Sequence, residues 1–365
     1  MILQVSKFYD PEIGGVESVV RDHAQYLSQF DEVVILCVKK RFSLKTSVEV
    51  REGVTVYRCA SFGTFFSMPV SIVFFLYLGW LSRKANVIHL HEPFPLGSIG
   101  ALLLRKQSKI FVTWHSDIVR QRLLKTFVTF FQERLLEKAN LIITTSDNLL
   151  RSSDLLQRHA EKVTVLPLSI DVPQLREPSL LSDFPEPLPQ DYVLFLGRLS
   201  YYKGVTILLD SLEHLDPRIP VVIVGNGELA DYVSAFVADS DCNLRFVNRV
   251  VTDKEKSVIL NNARLFVFPS THDSEAFGIM QLEAMAYGVP VINTNLKTGV
   301  PWVSVNGVTG ATVPVGDSFA LAQTIRNLYF DESLISKYGS NARHRVLEIF
   351  DSEVVNENLR KIYFP

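Results

Sequence analysis

Cysteine is scarce in this chain, with only Cys37, Cys59 and Cys242 among 365 residues, far apart and forming no Cys-x-x-Cys pair. That spacing excludes a disulfide framework and a cysteine-built zinc site, and it leads us to expect a reducing cytosol. Long apolar runs are also lacking. Met68 to Leu81 (MPVSIVFFLYLGWL) is apolar around its whole circumference, yet its 14 residues are too few to span a bilayer. The opening MILQVSKFYDP enters a strand pattern without a basic segment and an apolar one before it, so no secretory signal is expected. Neither sign of charge dominates, because 37 Lys/Arg face 39 Asp/Glu. No nucleic-acid partner is expected. There is no Gly-x-Ser-x-Gly elbow, Walker loop, metal-protease pattern, internal repeat or low-complexity segment.

What is present suits two cores. The hydrophobic fraction is 47%, and the length exceeds the size at which one core usually keeps growing. Short β-rich runs alternate with helical ones: ILQVS, a helix from about 16 to 29, VVILCV, VTVYR, a helix near 69–82, VIHLH, a helix near 96–106, KIFVTWH, a helix near 118–138, and LIITTS. The alternation restarts after a proline-rich segment, Pro167 to Pro189, with YVLFLG, PVVIVG, NLRFV, LFVFP, PVINT and ATVPV separated by helical patterns. The pattern predicts an α/β protein of two Rossmann-like doubly wound domains facing a central cleft, with ligands at the carboxyl ends of the strands. The expected boundaries are a first domain over 1–170, a linker over 171–190, a second domain over 191–350 and a final helix over 351–365. Charge is divided unevenly. Residues 1–170 hold 21 Lys/Arg against 15 Asp/Glu, and the remainder holds 16 against 24. Ile118 to Lys138 mixes basic residues with Phe127, Phe130 and Phe131, and Lys39, Lys40 and Arg41 add to the positive side. The pattern fits a peripheral contact with an anionic membrane as well as a solvated face.

Pro269 to Val291 (PSTHDSEAFGIMQLEAMAYGVPV) carries the strongest chemical signal. It joins an apolar strand to a helix starting near Gly278, whose first N–H groups and dipole face the loop holding Glu275. Glu283 follows eight residues later, one to two turns into the helix. Two acceptor-only carboxylates so placed suit different hydroxyls of one extended ligand. Gly197 to Gly204 (GRLSYYKG) also leaves a strand and enters a helix, and it carries Arg198 and Lys203. An arginine and a lysine five residues apart can neutralise a diphosphate without a metal, although a solvated loop has the same composition. Gly14-Gly15 after the first strand lets backbone approach a ligand at a helix N-terminus, and equally fits an ordinary turn.

Rival motifs are weaker. Gly225-Asn226-Gly227-Glu228-Leu229-Ala230 matches a loose dinucleotide fingerprint, and Arg249 after the next strand would suit NADP, but the turn follows the domain's second strand rather than its first. Asp239-Ser240-Asp241 has the spacing of a metal-holding Asp-x-Asp motif but falls at the edge opposite the strands' carboxyl ends. His115 ends a strand on the side expected to face the cleft and is read as a ligand contact. His89, His91 and Glu92 lack clear metal geometry and are read as structural.

Taken together, Gly14-Gly15, the Arg-x4-Lys pair Arg198/Lys203 and the Glu-x7-Glu pair Glu275/Glu283 resemble family 4 retaining glycosyltransferases of the GT-B fold. The likeness covers nearly the whole chain and is similar in its opening and in SEAFGIMQLEAMAYGVPVINTNLKTGVPWV to bacterial O-antigen and surface-polysaccharide hexosyl- and mannosyltransferases. The family implies a nucleoside-diphosphate sugar as donor, GDP-mannose ahead of UDP-hexoses, and no metal cofactor. Arg198 and Lys203 would then hold the diphosphate, with Gly14 and Gly15 backbone beside it. Glu283 would hold the ribose, and Glu275 with the amides of Ala276, Phe277, Gly278 and Ile279 the hexose. His115 would meet the sugar, and the backbone of Asn248, Arg249 and Val250 the base. Ala276 stands where many members have glycine. The acceptor expected is a polyprenyl-diphosphate-linked or other glycan, met by the first domain at the inner face of the plasma membrane. A nucleotide-sugar epimerase, an NADP oxidoreductase and an inactive membrane-bound scaffold are the alternatives.

Overall fold

The computed structural model describes the chain except residues 13, 66–67, 105–107, 118–121 and 173–180. The chain forms two compact units, Met1–Leu166 with Asn356–Pro365, and Pro167–Val355. Part of the segment expected as a linker, 173–180, lies outside the described residues.

The first unit is built on a sheet of eight strands: β1 (Ile2–Val5), β2 (Val33–Val38), β3 (Ser47–Arg51), β4 (Val54–Cys59), β7 (Val87–Glu92), β8 (Lys109–Trp114), β9 (Leu141–Thr144) and β10 (Val163–Val165). A separate small hairpin, β5 (Thr64–Phe65) and β6 (Met68–Pro69), completes the count. The order is β10-β9-β8-β7-β1-β2-β4-β3, parallel except that β3 runs antiparallel to β4 at the edge. Register explains how the sheet divides its faces, since side chains alternate along each strand. Leu3, Ile88 and Ile110 lie side by side across β1, β7 and β8, and they bury an apolar face together with Val5, Leu90, Val112 and Trp114. The opposite face carries Gln4, His89 and His91 with Phe111 and Thr113, and it too is buried.

Two helical expectations shift, and a third falls partly outside the described residues. The helix expected near 69–82 is Val73–Leu81, and it is not buried all round. It buries Phe74, Leu78 and Leu81 at spacings of four and three, while Leu76 and Trp80 stay exposed, as does Ile72 at the helix cap. The helix expected near 96–106 is the shorter Pro95–Gly100, followed by one tight turn over Ala101–Leu103. The basic and aromatic helix is described from Arg122 to Lys138, the first residues of the expected span lying outside the described ones.

The second unit has six parallel strands: β11 (Tyr192–Leu196), β12 (Val221–Val224), β13 (Leu244–Val247), β14 (Ala263–Phe268), β15 (Val291–Thr294) and β16 (Gly310–Val313). Their order, β13-β12-β11-β14-β15-β16, is that of a doubly wound dinucleotide-type sheet. β11 and β14 are neighbours, and the chain reverses its winding direction between them. Loops leaving their carboxyl ends therefore sit side by side where such sheets bind ligands. These are the loops that hold Arg198/Lys203 and Glu275.

Candidate active site

Two glycines shape the loops of the second unit. Gly204 ends the turn Tyr201–Lys203 in the left-handed region at φ 72°, and a Cβ there would lie 1.9 Å from the carbonyl oxygen of Pro269. Only glycine lets the two backbones approach so closely. The Thr271 N–H donates to the Tyr202 carbonyl at 2.8 Å, which ties the loops a second time. Gly278 caps the Ile279–Ala286 helix at φ 83° with no side-chain acceptor on the first N–H groups, which leaves them facing Glu275's loop.

The charged groups meet in a defined pattern. Lys203 Nζ lies 2.5 Å from Glu275 Oε2, with the two side chains 16% and 10% exposed. The ammonium also sits 5.1 Å from the Phe268 ring centroid, a favourable cation–π position. Glu283 pairs with Lys256 Nζ at 2.7 Å, and Asp253 lies 3.2 Å from the same ammonium. Burial lowers the Lys256 pKa, but the Glu283 and Asp253 carboxylates outweigh it and hold the group above its ordinary value. The Arg198 side chain, by contrast, is exposed and has no ion-pair or hydrogen-bond partner among the described residues. Glu275 and Glu283 are thus each matched by a lysine, while the Arg198 guanidinium is uncommitted among the described residues.

Sequence reasoning missed Lys256, whose partner is 27 positions away and shares no local motif with it. It also missed the buried amides that hold the loop. Asn293 Nδ2 donates to Gln281 Oε1 at 2.9 Å and to the carbonyls of Val300 and Ser304. Gln281 Nε2 donates to the Phe277 carbonyl at 3.2 Å, and the Gly299 N–H donates to the Ala276 carbonyl at 2.8 Å. A glutamine and an asparagine twelve residues apart, on a helix and a strand that are mostly apolar, were the available signal.

The rival motifs have structural uses. A Cβ at Gly225 would lie 1.9 Å from the Gly197 carbonyl oxygen, and one at Gly227 2.5 Å from that of Leu199. These glycines thus admit neighbouring backbone. Asn248 accepts from Asn226 Nδ2 at 2.9 Å. The Arg249 guanidinium is gripped by both Glu186 and Glu255, at 2.7 to 3.1 Å, so its side chain is committed within the protein while Val250 beside it is exposed.

In the first unit Gly14 precedes the Gly15–Leu27 helix, and the Glu17 carboxylate occupies the place a Gly14 Cβ would take. At Gly15 that space is open. His115 follows β8 and is buried, its Nε2 3.1 Å from Nδ1 of His91. His91 Nε2 in turn faces Gln4 Oε1 at 3.2 Å. His89 bonds Thr113 Oγ1 at 2.7 Å and, through its other nitrogen, the Tyr363 hydroxyl. Burial, reinforced by the neighbouring imidazoles, holds His89 and His91 well below the ordinary histidine range, and burial lowers His115 to about 3. All three are neutral at pH 7. A neutral His91 that donates from Nε2 to Gln4 has a lone pair on Nδ1, so His115 donates from Nε2 and keeps an acceptor at Nδ1. Glu92 accepts from the Phe94 N–H, Ser98 and Gln132, yet burial pushes its pKa up to about 7.

A family model described as Glycosyltransferase Family 4 matches residues 13–174, and one described as Glycosyl transferases group 1 matches 180–345. The D-rhamnosyltransferase WbpZ of Pseudomonas aeruginosa is 35% identical over 273 residues, 74% of this chain and 71% of that protein. The chain is a family 4 glycosyltransferase. The O-antigen chain mannosyltransferase C of Escherichia coli is 29% identical to this glycosyltransferase over 354 residues, 96% of this chain and 95% of that one. The fold of the glycosyltransferase is that of solved GT-B proteins. Anabaena Alr3699/HepE in complex with UDP superposes with a TM-score of 0.78 at 19% identity, covering 99% of both chains. Sucrose-phosphate synthase from Thermosynechococcus elongatus gives 0.77 at 21%, covering 99% and 98%. The chain is thus a nucleotide-sugar-dependent enzyme that moves a hexose to a glycan or lipid acceptor.

Proposed function

We propose that this glycosyltransferase moves a hexose from a nucleoside-diphosphate sugar, GDP-mannose ahead of UDP-hexoses, to a lipid-linked oligosaccharide or polysaccharide with retention of anomeric configuration and without a divalent metal. The observation that carries the reading is the Lys203–Glu275 ion pair, which joins the loops leaving the adjacent strands β11 and β14 of the second unit. Breaking the anomeric bond places negative charge on the departing diphosphate, and fixed cations there lower the barrier. Arg198 and Lys203 supply that charge, which is the part a metal ion plays in other transferases. Glu283 takes the ribose hydroxyls, and Glu275 with the amides of Ala276, Phe277, Gly278 and Ile279 takes the hexose. Backbone at Asn248 to Val250 meets the base. In the first unit, Gly14 and Gly15 are proposed as backbone contacts of the donor and His115 as a contact of its sugar. Retention follows from front-face attack, with the departing phosphate helping to take the acceptor's proton. Two relatives, the O-antigen chain mannosyltransferase and a phosphatidyl-myo-inositol mannosyltransferase of Mycolicibacterium smegmatis, support mannose and a glycan or lipid acceptor.

The partner surface proposed for the first unit is an anionic membrane at the cytoplasmic face. Among the described residues no helix is long and apolar enough to cross one. Phe42, Leu44, Ile72 and Leu76 are nevertheless 65%, 75%, 66% and 70% exposed. Between Val33 and His91 the chain holds eight Lys/Arg and only two acidic residues, Glu49 and Glu52. Exposed apolar groups framed by excess positive charge suit an acidic lipid headgroup layer.

Transfer from GDP-mannose and UDP-hexoses to a prenyl-diphosphate-linked acceptor, assayed with EDTA and with manganese, tests the donor and the metal together. Equal turnover in EDTA with an α-linked product from an α-linked donor is expected. A strict need for manganese, or an inverted product, overturns the reading. Flotation with phosphatidylglycerol and phosphatidylcholine vesicles tests the surface, and equal binding to both refutes it.

A further inference from the structure

The ion pair between Lys203 and Glu275 has a consequence for which ligand the site prefers. Both groups are largely withdrawn from solvent, and they are held by two different loops that Gly204 and the Thr271–Tyr202 hydrogen bond fix in place. The Lys203 ammonium lies 5.1 Å from the centroid of the Phe268 ring and 5.5 Å from that of Tyr202, which keeps it near these loops whichever anion it faces. The same ammonium is assigned to the donor diphosphate, so the carboxylate and the diphosphate compete for one cation. Two anions at one partly buried ammonium repel each other unless one is satisfied in another way.

We propose that Lys203 exchanges partners according to whether a hexose is present, and that Glu275 thereby makes the site discriminate the nucleotide sugar from the nucleoside diphosphate it becomes. This inference rests on the donor-site reading above. With a nucleotide sugar bound, hexose hydroxyls donate to the Glu275 carboxylate and replace the lost ammonium contact, so Lys203 is released to the diphosphate. Once the hexose has been transferred, the carboxylate faces the diphosphate with no donor of its own. It then recaptures Lys203, and the product is held by Arg198 with less help. The device favours substrate entry and product departure at the same cation. It uses no moving lid. Glu283 does not share this part, because Lys256 and not a diphosphate-binding cation neutralises it.

Equilibrium titration calorimetry on the full chain tests the exchange with GDP and GDP-mannose, and with UDP and UDP-glucose. In Glu275→Gln the bare diphosphate is expected to bind about tenfold more tightly, while the nucleotide sugar gains far less, so that its advantage shrinks. A diphosphate affinity that is unchanged or weaker in Glu275→Gln overturns the exchange. A second arm uses only wild-type protein. Free mannose should strengthen GDP binding, or free glucose UDP binding, because hydroxyls at Glu275 release Lys203, and binding couplings of this kind are reciprocal. Independent binding of sugar and diphosphate refutes the proposal. The two failures are distinguishable. If no nucleoside diphosphate binds, or if Arg198→Ala leaves its affinity untouched, the donor site itself is misplaced and the exchange falls with it. If binding is intact and sensitive to Arg198 but neither arm shows the effect, the site stands and Lys203 does not change partners.

Discussion

Arg198 and Lys203 were both legible in the sequence as candidate phosphate cations, yet the structure gives them unequal situations. The Arg198 side chain is exposed and has no partner among the described residues, so Arg198→Ala should leave the melting temperature within about 1 °C of wild type, since exposed sites away from packing features rarely matter to stability. Turnover should fall by about 100-fold, the loss seen when one preorganised charge-stabilising donor is removed. Lys203 is different. Its removal leaves Glu275 without a cation in a largely buried setting, so Lys203→Ala should lose about 1–3 kcal/mol of stability besides most activity. Adding Glu275→Gln to that variant should restore part of the stability and none of the activity. Chemical denaturation and a transfer assay on the three proteins decide this. Lys256 was not legible, because a lysine is informative only beside its partner and Glu283 lies on another helix. The His91–His115 bond was equally hidden, since strand register across β7 and β8 and not sequence proximity brings those rings together. Nitrogen-15 spectra of labelled histidine should show His115 protonated at Nε2, and Gln4→Leu, which removes the acceptor that fixes His91, should mix the tautomers.

At the level of elements, the sequence showed the strands that are apolar on both faces and the turns that carry glycine. It showed six of the eight strands in the first unit's sheet. β3 was missed because only two valines, Val48 and Val50, alternate through its five residues, too short a stripe to stand out, and β10 because three residues make no pattern. Likewise the apolar Val73–Leu81 segment could not reveal which of its sides would be covered, because an all-apolar helix has no face in sequence. The glycines now separate into two kinds that sequence treated alike. At Gly204 a methyl group would both strain a left-handed backbone and strike the Pro269 carbonyl. Gly204→Ala should therefore cost about 1–3 kcal/mol and displace Lys203, which circular dichroism melts and diphosphate titrations would both register. At Gly15 a methyl group meets no atom within 4 Å. Gly15→Ala should melt like wild type. A loss of transfer in that variant would report an approaching ligand, and unchanged transfer would remove Gly15 from the donor contacts.

Across the whole molecule the buried histidines with lowered pKa lie in one unit, so mild acid acts there first. His23, His89, His91 and His115 are buried and neutral in the first unit, while His214, His272 and His344 of the second are exposed. Burial lowers His23 to about 4 and His115 to about 3, with His89 and His91 well below the ordinary range. As pH falls through about 6.5, the unfolded chain takes up protons at these four positions that the folded chain refuses. Each then removes up to about 1.4 kcal/mol of stability per pH unit. Glu92 acts in the opposite sense. Its folded pKa of about 7 lies above its ordinary 4.5, so between those values the folded state holds a proton that the unfolded state lacks, and acidification favours folding. Four histidines outweigh one carboxyl, so the first unit should weaken steeply from pH 6.5 to pH 5. Hydrogen exchange, corrected for its intrinsic pH dependence, should show protection in β1, β7 and β8 dropping over that interval while β14 and β15 change little. Replacing His23, which no hydrogen bond holds at Nδ1, with phenylalanine should make the drop shallower by one histidine's share. Uniform loss of protection in both sheets would mean that the acid response is carried by surface charge and not by these imidazoles.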